Sequence, residues 1–224
     1  MTHNTAEKTT RPYTIVEEIC NCSVHGLGII LSIAALVILA AFSSRLGNAW
    51  TIVSTVIFGV SMIIMYTAST LYHAITNMQA KKILKKFDHI AIYYLIAGSY
   101  TPFLLINLRG VTGWVIFGIV WGLALLGTVL KLVTSGSGVK LWSILLYLMM
   151  GWMIVFASHQ LFQSLNRTGL TFLILGGIFY TLGVLFYIQK KRKYTHAIWH
   201  GFVLVGTIMH FFAVLFGCVL IGPQ

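Results

Sequence analysis

Thr195-His196-Ala197-Ile198-Trp199-His200-Gly201-Phe202 opens the last of several long apolar runs in this 224-residue chain. If that run is a helix, it has 3.6 residues per turn, and two histidines four apart stand about 40° apart on one face. Both rings can then turn toward one point, which is metal-ligand spacing. The same pair can also sit at a membrane interface and bind nothing, and the glutamate of an H-E-x-x-H protease helix is missing. The rest of the chain decides between these readings.

Outward from that run, the composition is 58% apolar and 8% charged, with a mean hydropathy of +0.90. Soluble domains do not look like this, and the chain reads as an integral membrane protein. Apolar runs extend from about Ser23 to Phe42, Ala49 to Tyr72, Ile90 to Ile106, Gly113 to Leu132, Leu141 to Ser158, Leu170 to Ile188 and Ala197 to Ile221. Each is long enough to cross a hydrocarbon layer of about 30 Å. The connections are short, so the expected fold is all-α: a seven-transmembrane helix bundle over 23–221 behind a short N-terminal segment, 1–22. Residues 1–21 are polar and the first run lacks a small-residue cleavage site, so that run is expected to remain as a signal anchor. Cys20, Cys22 and Cys218 are too poorly placed for a disulfide framework and are expected to be free.

Basic residues set the expected orientation. Lys8, Arg11, Lys81, Lys82, Lys85, Lys86, Lys131, Lys140, Lys190, Lys191, Arg192 and Lys193 fall on one side, and Arg45, Arg109 and Arg167 on the other. The N-terminus is therefore expected in the cytoplasm and the C-terminus outside. The formal charge of +11 then suits anionic lipid headgroups at the cytoplasmic loops rather than nucleic acid. Glycines within the spans, such as Gly176, Gly177, Gly201 and Gly206, suit close helix contacts.

This topology gathers ionisable residues at one depth, where unpaired polar groups are costly. Glu17, Glu18, His25, His73, Asp88, His196 and His200 all lie at cytoplasmic ends of spans. Ser69 and His73 share a helix face, so His73 can be a third ligand with Ser69 as a hydrogen-bond partner. Asp88, after a loop of about fifteen residues, can reach the same place. Three histidines and a carboxylate suit zinc, with iron on two histidines and a carboxylate as a weaker option. Alternatively, His73 and Asp88 form a buried ion pair. Glu18, Asn21 and His25 lie on one face of the first helix, either orienting ligands or simply capping the helix at the interface. Pro102 is expected to kink the third helix and free the Gly98 carbonyl, to be satisfied by Ser99, Thr101 or a neighbouring helix. His3, His89, His159 and His210 are excluded as ligands by position.

Taken in order, Glu17-Glu18-x-x-Asn21-x-x-x-His25, Ser69-x-x-x-His73, Phe87-Asp88-His89, Ala97-Gly98-Ser99-Tyr100-Thr101-Pro102 and His196-x-x-x-His200 resemble the hemolysin III family, the bacterial branch of the progestin and adipoQ receptor family. The resemblance covers nearly the whole chain. It implies a multi-pass protein of the cell membrane with zinc near the inner face, held by His73, His196 and His200. Asp88 is then held to the metal through a water, with Ser69 nearby. The wider superfamily includes alkaline ceramidases, which implies hydrolysis of a lipid amide. A metallohydrolase of a lipid amide or ester is then expected to use Asp88 and Ser69 as catalytic residues, with Ser69 or Tyr72 helping the zinc to stabilise the oxyanion. The alternative is a non-enzymatic protein whose zinc is structural and which senses or regulates membrane lipids, or a cytolytic one, as the family's name implies. A retinal protein is excluded because the last span has no lysine.

Overall fold

Thr14 starts the first helix. Its hydroxyl accepts from the Glu17 N–H at 3.3 Å, and the Glu17 carboxylate accepts from the Thr14 N–H at 2.9 Å, a reciprocal cap that satisfies two orphan donors. In this computed structural model, which describes residues 13–134, 141–189 and 192–220, α1 therefore spans Ile15–Leu46. It begins ahead of the apolar run at Ser23 and carries Glu17, Glu18 and Asn21 on the helix itself.

Asn48 caps α2, Ala49–Ala74, and Asn77 caps α3, Met78–Pro102, by accepting from the Gln79 and Ala80 N–H groups. The expected loop before Asp88 is thus helix, and only residues 75–77 separate α2 from α3. Lysine, glutamine, alanine and leucine are strong helix formers even where they are too polar to mark a span. Pro102 ends the α-helical part of the third span, which continues as a π-helix, Phe103–Asn107. The Thr101 hydroxyl donates to the Ala97 carbonyl and the Ser99 hydroxyl to that of Ile96, so neither turns to the Gly98 carbonyl as expected.

After α4, Val111–Val133, the fifth span is broken rather than continuous. It consists of α5, Leu141–Gly151, a 3-10 turn, Met153–Ala157, and α6, Ser158–Ser164. The Tyr100 hydroxyl fills the break, donating to the Gly151 carbonyl at 2.6 Å and accepting from the Ile154 N–H at 3.1 Å. Asn166 caps α7, Arg167–Tyr187. α8, Thr195–Val214, has no side-chain cap of its own and runs on as a π-helix to Leu220.

Among the described residues, seven spans are long and apolar enough to cross a membrane, and the chain is an all-α, multi-pass membrane protein. The third span lies at its centre, with Tyr93 of α3 and Phe103 and Leu104 of the following π-helix almost wholly buried. It approaches α2 closely because Gly98 is bare: a Cβ there would stand 2.2 Å from Ser61 Oγ. Gly176 and Gly206 make such contacts too, whereas a side chain at Gly177 or Gly201 would meet nothing within 4 Å. Ile15, Val37, Val111, Val133 and Phe156 are among the apolar residues that face outward, as lipid-facing positions must. His3, Lys8, Arg11, Lys140, Lys190, Lys191 and Ile221 lie outside the described residues. Lys131, placed in a loop by its charge, lies inside α4 and is buried.

Candidate metal centre

His73 near the end of α2 and His196 and His200 in the first turns of α8 converge, their candidate ligand nitrogens all within 4.8 Å of one another. The second nitrogen of each of two rings is already engaged. His73 Nδ1 is 2.5 Å from Glu18 Oε2, and the Asn21 carboxamide nitrogen is 3.4 Å from the same ring atom. His200 Nδ1 is 3.3 Å from the Asn21 carbonyl oxygen. With those protons on Nδ1, the lone pairs of His73 and His200 are on Nε2. His73 Nε2 is buried without a hydrogen-bond partner among the described residues, and His200 Nε2 faces His196 Nε2 at 3.1 Å. Ligating histidines are oriented in this way in metal sites.

Aromatic and polar neighbours fix the rings. His25 stacks on His200 with centroids 3.6 Å apart and planes 7° apart, and neither His25 nitrogen has a hydrogen-bond partner among the described residues. Trp199 packs against His196 and His200, each at 4.9 Å. Tyr72 lies 4.5 Å from the His73 ring, and its own ring lies under the Lys81 ammonium at 5.3 Å. That ammonium also pairs with Glu18 at 2.7 Å, so the carboxylate that orients His73 is itself held by α3.

Asp88 and Ser69 sit beside this group. Asp88 is buried, close enough to Ser69, His73, Lys85 and Lys131 to interact with them electrostatically; among the described residues no partner of Ser69 Oγ meets full hydrogen-bond geometry. The Asp88 carboxylate does not join the three nitrogens within ligand range of one another. The carboxylate that pairs with His73 is Glu18, so the alternative of a His73–Asp88 pair gives way to a partner one helix earlier. His89 turns away, Nδ1 lying 2.5 Å from the Lys85 carbonyl, and His159 contacts Gln163 at an exposed position. His210 lies elsewhere on α8.

Three contacts at the site were not evident from spacing. Tyr13 stacks on His196 at 4.9 Å. Glu17 Oε1 accepts from the Tyr194 N–H at 2.9 Å, holding the left-handed residue, φ 62°, that precedes α8. Lys81 bridges to Glu18. Only Glu17 carries a local signal, the Thr14-x-x-Glu17 capping-box spacing.

A cavity of about 310 Å³ adjoins the cluster through His25 and Trp199, which pack on its rings. Asp88 and His25 line one end and His210 another part, with Ile92, Leu95, Ile96, Leu173 and Val184 among the apolar residues between. Val155, Phe162 and Ile174, which also line it, are about half exposed on the outside of the bundle. The wall there is one side chain thick.

A protein-family model described as Haemolysin-III related matches residues 13–211. The chain belongs to the haemolysin III family. All three histidines of the cluster lie within the matched stretch. This haemolysin III family protein is 51% identical to the Hemolysin-3 homolog of Bacillus subtilis (strain 168) over 207 residues, covering 92% of this chain and 97% of that one. It is 46% identical to Hemolysin-3 of Bacillus cereus over 211 residues, 94% and 96% of the two chains. The human Monocyte to macrophage differentiation factor is 27% identical over 208 residues, 90% of this chain and 84% of that one, in keeping with the wider progestin and adipoQ receptor family.

Proposed function

We propose that this protein is a zinc-dependent membrane hydrolase of a lipid amide or ester. The observation that carries the reading is the convergence of His73, His196 and His200 beside an apolar cavity that Asp88 and His25 line. Nitrogens on a tetrahedral zinc at 2.0–2.1 Å stand about 3.3 Å apart, near the His196–His200 separation of 3.1 Å, and His73 Nε2 is a buried lone pair in need of a partner. His73, His196 and His200 would hold the metal, which when bound would supply Lewis acidity and lower the pKa of a water. Asp88, too far to join the ligands, orients the attacking water and takes its proton. Ser69 and Tyr72 donate to the developing oxyanion, and Glu18, Asn21 and His25 hold the ligand rings. The cavity takes the acyl chain, which enters from the bilayer through the thin wall at Val155 and Phe162. The basic end of the bundle faces the cytoplasm, where its lysines meet anionic headgroups rather than nucleic acid.

Purified protein, as isolated and after chelation, should be assayed on a fluorescent short-chain ceramide and a fluorescent phospholipid in mixed micelles. Turnover that disappears on chelation and returns with zinc supports the reading. Stoichiometric zinc without turnover on either lipid favours the second reading, a structural zinc joining α2 to α8 in a non-enzymatic protein. That alternative draws support from the aromatic cover of Tyr13 and Trp199 over the rings. Orientation is tested by a single cysteine at Lys82→Cys in intact cells, where labelling by an impermeant reagent would place the basic end outside.

A further inference from the structure

His210 is a histidine of the cavity that the metal cluster does not use. It stands on α8 ten residues beyond His200, about 15 Å along the helix. It is 8% exposed, lines the cavity, and among the described residues neither ring nitrogen has a partner that meets full hydrogen-bond geometry. The surroundings are shaped to the ring. A Cβ at Gly176 would come within 2.2 Å of His210 Cδ2, and the Tyr180 ring meets it edge-on at 5.1 Å.

A neutral imidazole has one N–H and one lone pair. The Leu173 backbone carbonyl faces the ring and suits the N–H, but the neighbouring hydroxyls have no proton to spare for the lone pair. The Thr207 hydroxyl donates to the Val203 carbonyl at 2.9 Å, so the Tyr66 and Tyr180 hydroxyls, at 2.7 and 2.8 Å from Thr207 Oγ1, both donate to it. A buried lone pair at membrane depth is costly until something donates to it.

We propose that His210 is a hydroxyl-recognition site, accepting a hydrogen bond from a hydroxyl carried part-way along the acyl chain of the cavity's ligand. The inference rests on the reading of the cavity as an acyl-chain site. The distance from the cluster matches about a dozen bonds of an extended chain. The ligand class is therefore a long-chain acyl group hydroxylated near its middle.

Stearic acid and 12-hydroxystearic acid are the probes, titrated against the purified protein in detergent and followed by tryptophan fluorescence. As free acids they leave nothing to hydrolyse, so binding is read alone. The hydroxy acid should bind about tenfold more tightly to the wild type. His210→Phe, which fills the space beside Gly176, should bind both acids equally, whereas His210→Gln, which keeps an acceptor, should retain a preference. Equal affinity of the wild type for both acids, the result if a buried water occupies the lone pair, overturns the proposal and leaves the acyl-chain reading standing. A preference that survives His210→Phe overturns it as well. Binding of neither acid to the wild type overturns both.

Discussion

The third and fifth spans both leave the α-helix part-way, yet their surroundings differ. In the third span, 78% of the most apolar window is buried, and in the fifth only 17%. The third span departs from α geometry just after Pro102, where a backbone donor is missing, and its neighbours on every side hold it in place. The fifth has no proline, and its break at Gly151 is met by one phenol, that of Tyr100 on α3. The contrast separates a rigid element that positions Asp88 from a thin wall beside the cavity.

That contrast can be broken experimentally, first at the packed end. His200→Ala should reduce bound metal from one per chain to background, and elemental analysis of the purified variant checks this. The melting temperature should fall with it, because metal binding is linked to folding. Equal metal in variant and wild type would remove His200 from the site.

Asp88→Asn keeps the size of the side chain but cannot accept a proton at neutral pH. Zinc should stay nearly stoichiometric while lipid amide hydrolysis falls by about 10² to 10⁴-fold. Loss of zinc would instead make Asp88 a direct ligand, and unchanged turnover would take it out of the mechanism.

A smaller effect is expected from Glu18→Gln, which weakens the partner of His73 Nδ1 and the link to Lys81. Metal affinity, measured by competition with a chelator, should drop by about 10 to 100-fold. An unchanged affinity would mean that the Glu18 contact ties helices together without tuning the ligand.

The smallest effect belongs to the wall. Tyr100→Phe leaves the Gly151 carbonyl and the Ile154 N–H without their partner, at a cost of about 1–3 kcal/mol, seen as a modest drop in melting temperature with metal content unchanged. If metal were lost too, the wall and the packed end would be one cooperative unit.

Much of this was legible in the sequence, for reasons tied to particular residues. His196 and His200 share a face by helical spacing alone, and the seven apolar runs mark the seven spans, so fold and family were both readable. The start of α3 was not, because Lys81, Lys82, Lys85 and Lys86 hide a helix behind polar side chains; the cap at Asn77 is the better sign. The break in the fifth span was hidden for the opposite reason: hydropathy stays high through Gly151-Trp152-Met153, and only the distant Tyr100 reveals where backbone groups need a partner. The His73–Glu18–Lys81 chain depends on which ring nitrogen points where, and no spacing rule encodes that.

The contact between Glu17 and the Tyr194 N–H joins residues 177 apart in sequence, and it bears on how the protein is made. Spans emerge from the ribosome N-terminus first. When α1 and α2 are in the bilayer, His73 has Asn21 and Glu18 but neither of the other cluster histidines; His196 and His200 arrive only with the last helix. Glu17 can fix the start of that helix only after everything between has been threaded. The three-histidine group is therefore completed at the end of biogenesis, and a chain cut before Thr195 has no such cluster, however many of its spans have inserted.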